Sequence, residues 1–166
     1  MTIKRPLRLA VAGAVLALPL AFTACGEIAE NAAEDALREE GIDADLDNGQ
    51  IEIDTTDGGV VTGKLPKGFP KSVPVIDGEI LAGTYTKNPD TWNATVKVDE
   101  PGGDKEAPYD SAAADLVDAG FEVVTDKMDN GTAIVGDYQG DGFLVNLAVT
   151  DSAGQGIVVN YLVTVP

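Results

Sequence analysis

The chain has 166 residues, 28 acidic against 11 basic and no histidine, for a formal net charge of −17. A polyanion of this kind repels phosphate backbones, which argues against nucleic acid as a partner. Without imidazole there is no Ser-His-Asp triad and no histidine base at neutral pH.

Lys4, Arg5 and Arg8 open the chain, an apolar run over 9–22 follows, and Phe22-Thr23-Ala24-Cys25-Gly26 ends it. A cationic start, a short apolar run and a small-residue cleavage site mark a secretory signal. The run is shorter than the ~20 residues that span a bilayer, and Pro19 interrupts it, so a retained transmembrane anchor fits less well. Residues 22–25 resemble the lipobox of bacterial lipoproteins, in which Leu and two small residues precede Cys. Phe22 stands at the Leu position, while Thr23, Ala24 and Cys25 fit. The resemblance implies cleavage after Ala24 and lipidation of the Cys25 sulfur. The membrane is then a partner through acyl chains, and the protein sits on the outer, extracytoplasmic face of the cell membrane; two or three chains give stable anchoring.

Removing residues 1–24 takes away three basic residues and no acids, leaving eight against 28, a net charge of −20. Anionic headgroups repel such a chain, so membrane contact falls to the lipid. Cys25 is the only cysteine, and no second thiol exists for an intrachain disulfide. The 142 residues that remain are enough for one domain with a real core.

Residues 25–64 read as an acidic tether. Over 27–40, Ile28, Ala29, Ala32, Ala33, Ala36 and Leu37 share one helical face, and Gly41 supplies a stop. This face is mostly alanine, and Glu39 and Glu40 oppose the helix dipole, so the helix is marginal and solvated. In the next segment Ile42, Ala44 and Leu46, then Ile51 and Ile53, alternate with acids around Asn48-Gly49, which predicts a small hairpin. Residues 65–76 carry Pro66, Pro70 and Pro74 four apart. Two readings stand: a semi-rigid spacer of about 30 Å, or a strap across the domain pinned by Phe69 and Val73.

From residue 77 to 166 the pattern becomes that of a globular domain. Strands are expected over 79–86 and 91–99, a helix over 110–119 with Asp110 as N-cap, then strands over 121–127, 132–139, 143–150 and 157–165. Trp92, Ala94, Val96 and Val98 share one face, and Asn93, Thr95 and Lys97 the other. Ala113, Leu116, Val117 and Gly120 fall on one helical face. Turn residues separate the strands: Lys87-Asn88-Pro89-Asp90, Pro101-Gly102-Gly103, Asp129-Asn130-Gly131, Gly140-Asp141-Gly142 and Ser152-Ala153-Gly154. The expected fold is α+β, an antiparallel sheet of about six strands with one helix on one face. A faint echo links Gly83-Thr84-Tyr85 and Trp92 with Gly136-Asp137-Tyr138 and Phe143. One helix cannot cover six strands. The remaining sheet surface is polar, packed under the strap, or offered to a partner.

Chemistry is sparse. With Cys25 acylated no thiolate nucleophile remains, and no nucleophile elbow, phosphate-binding loop or dinucleotide fingerprint appears. Among so many acids, carboxylate pairs carry no weight as a glycosidase signal. Asp43, Asp45 and Asp47 sit at alternate positions like the first ligands of an EF-hand, but Gly49 falls one place late and Asp54 stands where the bidentate Glu belongs. Trp92, Tyr85, Tyr138 and Tyr161 could form a stacking platform for a sugar or apolar ligand, although strand aromatics are mostly core.

The lipobox, the Ala-rich acidic helix, the Asp/Gly-rich hairpin and the segment Leu65-Pro66-Lys67-Gly68-Phe69-Pro70 together resemble small envelope lipoproteins of actinobacteria. The resemblance implies an envelope location and no activity. The expectation is a non-catalytic, lipid-anchored envelope module, with Cys25 as its lipidation site and no catalytic, cofactor or metal residues. Its partner is an envelope protein or small ligand. The alternative is a small-ligand or calcium carrier or sensor that uses the open sheet face.

Overall fold

The computed structural model describes residues 43–45, 50–100 and 103–166. The signal segment, Cys25 and the helix expected over 27–40 lie outside the described residues. The strands, in chain order, are β1 (Asp43–Asp45), β2 (Glu52–Asp54), β3 (Gly58–Thr62), β4 (Glu79–Thr86), β5 (Thr91–Val98), β6 (Glu122–Asp129), β7 (Ala133–Gly140), β8 (Phe143–Ser152) and β9 (Gly156–Thr164). Among the described residues there is one helix, α1, which spans Glu106–Asp118 between β5 and β6.

All nine strands belong to one antiparallel sheet in the order β1-β2-β3-β4-β5-β9-β8-β7-β6. The expected count of about six is therefore wrong, although the α+β class stands. The extra strands come from residues 43–62. There β1 pairs with β2, β2 with β3, and β3 lies along β4 with Val61 opposite Gly83. Gly58-Gly59 begins β3 with residues that weaken a strand, so its sequence reads locally as loop. Pairing with β4 overrides that preference.

Two meanders make the sheet. The first runs from β1 to β5; α1 then carries the chain to the far edge, and β6 to β9 return until β9 closes against β5. The β5–β9 ladder is regular, from Thr91 opposite Thr164 to Val98 opposite Ile157. Alternation places Ala94, Val96 and Val98 beside Ile157, Val159, Tyr161 and Val163, with Val145, Leu147, Val149, Ile134 and Tyr138 beyond them. These residues form one buried face.

Helix α1 covers the β7–β8 side of this face. Its start lies four residues before the expected one: Glu106 donates its N–H to Asp104 Oδ1 at 2.8 Å, and Asp110 is inside the helix. Pro108 did not stop it, because the first turn of a helix has no acceptor for its N–H groups. Pro108, Tyr109, Ala112 and Leu116 form the buried stripe, whereas Val117, expected there, is 50% exposed. At the other end Gly120 has φ 91°, Gly120 N–H donates to Val117 O at 2.9 Å and Phe121 N–H to Leu116 O at 3.0 Å. This is a Schellman stop with its hydrophobic closure, since Leu116 and Phe121 are both buried.

The proline-rich segment covers the rest of the face as a strap. Its flanking strands β3 and β4 are neighbours, about 4.8 Å apart, so the residues between them must double back and cannot act as a linear spacer. Phe69 N–H donates to Pro66 O and Val73 N–H to Pro70 O, which turns the strap twice. Val73 is buried in the core, with Leu65, Phe69, Val75 and Ile76 packed against it. Trp92 Nε1 donates to Lys67 O at 3.2 Å, and Ile76 N–H donates to Tyr161 Oη at 3.0 Å.

The echo between the hairpins does not reflect a repeated unit. Strands β5 and β8 both run antiparallel to β9 and so parallel to each other, yet β4 and β7 flank them on opposite sides. With the same face buried, the two hairpins have opposite hand, which duplication by rotation cannot produce. Their common glycines share a purpose: Gly83 lies under Pro66 of the strap and Gly136 under the Tyr109 hydroxyl of the helix, each close enough to exclude a Cβ.

Candidate functional site

Because strap and helix both lie on one face, the other face of the sheet stays open among the described residues. The register defines it row by row. One row runs Thr84, Asn93, Leu162, Asn146, Asp137; the next runs Ala82, Thr95, Asn160, Ala148, Val135. Strands do this automatically, since each core residue sends its two neighbours to the opposite side. The polar groups satisfy one another. Thr95 Oγ1 is 2.9 Å from Asn160 Oδ1 and 3.3 Å from Asn93 Oδ1, and Asn146 Nδ2 donates to Asp137 Oδ1 at 2.7 Å.

Charge is the unusual property of this face. From β3 to β7 it holds Glu79, Lys97 and Asp137 as its charged residues, and Glu79 pairs with Lys97 at the margin, 3.7 Å apart. Threonine, asparagine, glutamine, serine, glycine, alanine, valine and leucine fill the remainder, with Val60 and Leu162 respectively 43% and 40% exposed. A surface with few charges loses little hydration when it is covered, because desolvating an ion costs far more than desolvating an amide or methyl group.

The aromatic residues do not converge on an accessible platform. Tyr138 and Tyr161 are buried in the core. Tyr138 shares a hydrogen bond with Tyr109, hydroxyl to hydroxyl at 3.0 Å. Burial, first of all, pushes the Tyr109 hydroxyl well above its ordinary pKa, and the bond to Tyr138 adds to it. Burial likewise raises Tyr161 to about 12, against a lowering by the Ile76 N–H. Trp92 is half-buried against the strap and meets Phe143 edge to face at 6.0 Å. Tyr85, directly opposite Trp92, donates to Asp54 Oδ1 at 2.9 Å.

Of the three aspartates weighed as calcium ligands, Asp43 and Asp45 fall on strand β1 and not in a helix-flanked loop, and Asp47 lies outside the described residues. Their register partners are Asp54 and Glu52. Those two carboxylates face cations in and just before the strap: Lys67 reaches Asp54 at 3.4 Å, and Lys64 pairs with Glu52. Among the described residues no group of three or more acids, cysteines or histidines is placed to hold a metal ion. Cys25 lies outside the described residues.

Sequence reasoning had placed Asn93, Thr95 and Lys97 on a common polar face, but the partners of Thr95 and Asn146 depend on strand order and were not legible. It also missed the clamp at Lys127. This side chain leaves β6 for the helix, bonding Glu106 Oε2 at 2.7 Å and Asp110 Oδ1 at 2.8 Å over the Tyr109 ring. The hydrogen bonds that Lys127 donates to Asp110, and then to Glu106, hold its ammonium pKa above the usual lysine value. Among the described residues no helix is long and apolar enough to cross a membrane. No family model, curated protein or solved structure matches the chain.

Proposed function

We propose that this chain is a non-catalytic, lipid-anchored module of the cell envelope, held through Cys25 on the extracytoplasmic face, and that the open face of its sheet docks against an envelope protein. The observation that carries the docking surface is its scarcity of charge in a chain of net charge −17. Interface cores are depleted in charged residues for the desolvation reason given above. The anchoring rests on the cationic start, the apolar run and the small residues that lead to Cys25. The lack of histidine and of a free thiol in the lipidated chain supports a binding role over catalysis.

One experiment addresses both halves. The protein is produced in a bacterial host that lipidates exported proteins, with a photo-crosslinking residue at position 162 in one variant and at the exposed strap position 71 in another. Mass spectrometry should find acyl chains on Cys25, lost in Cys25→Ser, and crosslinks to one recurring envelope protein from position 162 only. An unmodified Cys25 would remove the anchor; equal crosslinking from both positions would remove the docking face.

A further inference from the structure

We propose that β6 is an acceptor edge for strand addition by an extended segment of another protein whose side chains alternate between apolar and basic. Strand β6 pairs with β7, and among the described residues nothing pairs with its other edge. Every residue from Glu122 to Asn130 is exposed. An unpaired edge presents backbone donors and acceptors to any chain that can extend beside it.

The side chains around this edge are unusually apolar. Val123, Val124 and Met128 are 50%, 55% and 54% exposed, and Val117 at the end of α1 is 50% exposed. Val123, Val124 and Met128 are three of the eight large hydrophobics exposed among the described residues, all on this one edge strand. Val123 lies opposite the core residue Tyr138, whereas Met128 lies opposite Val135 of the open face. Apolar side chains therefore flank the edge on both sides, and an added strand would find contacts above and below the sheet.

Charge selects the occupant. Glu122, Asp126 and Asp129 lie along the strand, and its one cation, Lys127, is already bound by Glu106 and Asp110. A basic partner complements this field. A second copy of the chain would set acids against acids. Shape agrees, because the β6–β7 ladder shifts register between Val123 and Thr125 and again between Thr125 and Met128. Bulges bend an edge away from rigid sheet-to-sheet pairing, whereas a flexible peptide can follow the bend.

The test uses the full chain and a fluorescent peptide of alternating valine and lysine, eight residues long to match β6. A second peptide has the same side chains with its backbone amides N-methylated, which keeps charge and removes the ladder donors. Fluorescence anisotropy at about 0.15 M salt should show saturable binding, weakened at least about tenfold by N-methylation. The exposed-site double variant Val124→Lys, Met128→Lys, whose thermal midpoint should be unchanged, should weaken it comparably. Hydrogen exchange should slow at residues 122–129. The proposal is overturned by an absence of saturable binding, by equal affinity for the N-methylated peptide, or by protection centred on any other strand.

Discussion

At the residue scale, the buried face tolerates its covering elements only because particular side chains are missing. A Cβ on Gly136 would collide with the Tyr109 hydroxyl, while the ring carbon behind that hydroxyl lies 3.4 Å away, at the limit of ordinary contact. Gly136→Ala should thus cost about 1–3 kcal/mol, the usual penalty of overpacking. Tyr109→Phe alone should also destabilise, since it leaves the buried Tyr138 hydroxyl without its partner. In the double variant the clash is relieved, so urea midpoints should give a loss smaller than the sum of the two. Strict additivity would mean that helix and sheet do not meet at this point. Alkali tests a second buried hydroxyl. The folded pKa of Tyr161 is raised to about 12 from the ordinary tyrosine value of 10.0, so the native state holds this proton more tightly than the unfolded chain does. Its contribution is complete below pH 10 and is lost as pH rises toward 12. Stability measured by denaturant at successive pH values should fall in that window, and less steeply in Tyr161→Phe.

At the scale of elements, the strap and β3 answer what the sequence left open. Both apolar pins expected of the strap, Phe69 and Val73, do pack on the core, and Trp92 and Tyr161 fasten its backbone with side-chain hydrogen bonds. Strand β3 shields the edge of β4. A fragment covering residues 50–166 should therefore fold cooperatively as a monomer. One covering 65–166 should melt at a lower temperature and associate as concentration rises, because β4 then presents an unpaired edge. Identical melting and sedimentation of the two fragments would show β2 and β3 to be energetically idle. The boundaries of the larger strands were legible because period-two alternation and turn residues are local. The helix start was not, since Asp110 reads locally as an N-cap but lies inside the helix, whose first turn begins at Glu106.

For the whole molecule, the governing quantity is charge. Ion pairs such as Lys64–Glu52, Lys67–Asp54 and Lys97–Glu79 lie at the surface, where each contributes about 0–1 kcal/mol. Against them stands the mutual repulsion of a chain with net charge −17. Raising ionic strength from about 0.01 M to 1 M shortens the screening length from about 30 Å to 3 Å, which weakens the long-range repulsion more than the close contacts. The thermal midpoint should rise across that range in sodium chloride. A fall would mean that the ion pairs outweigh the repulsion. The sparsely charged open face is the exception to this acidity, and it adjoins the acidic edge strand β6 through the Met128–Val135 pair.

What the sequence determined by itself was much of what depends on neighbours a few residues away: strands alternating with turns, the presence of a helix between β5 and β6, and which side chains along a strand share a face. Two-residue loops such as Asp141-Gly142, both at positive φ, could be read directly, because few other residues accept that backbone. Only the tertiary structure decided that β9 lies between β5 and β8, that residues 50–62 extend the sheet, and that strap and helix cover the same face. Each of these is set by pairing between segments far apart in the chain, such as Ala94 with Tyr161. Alternation assigns a side chain to a face but cannot say which strand will lie beside it, or which of the two faces will be covered. That choice is made by summed burial across the whole sheet, and it leaves the Asn- and Thr-rich face open.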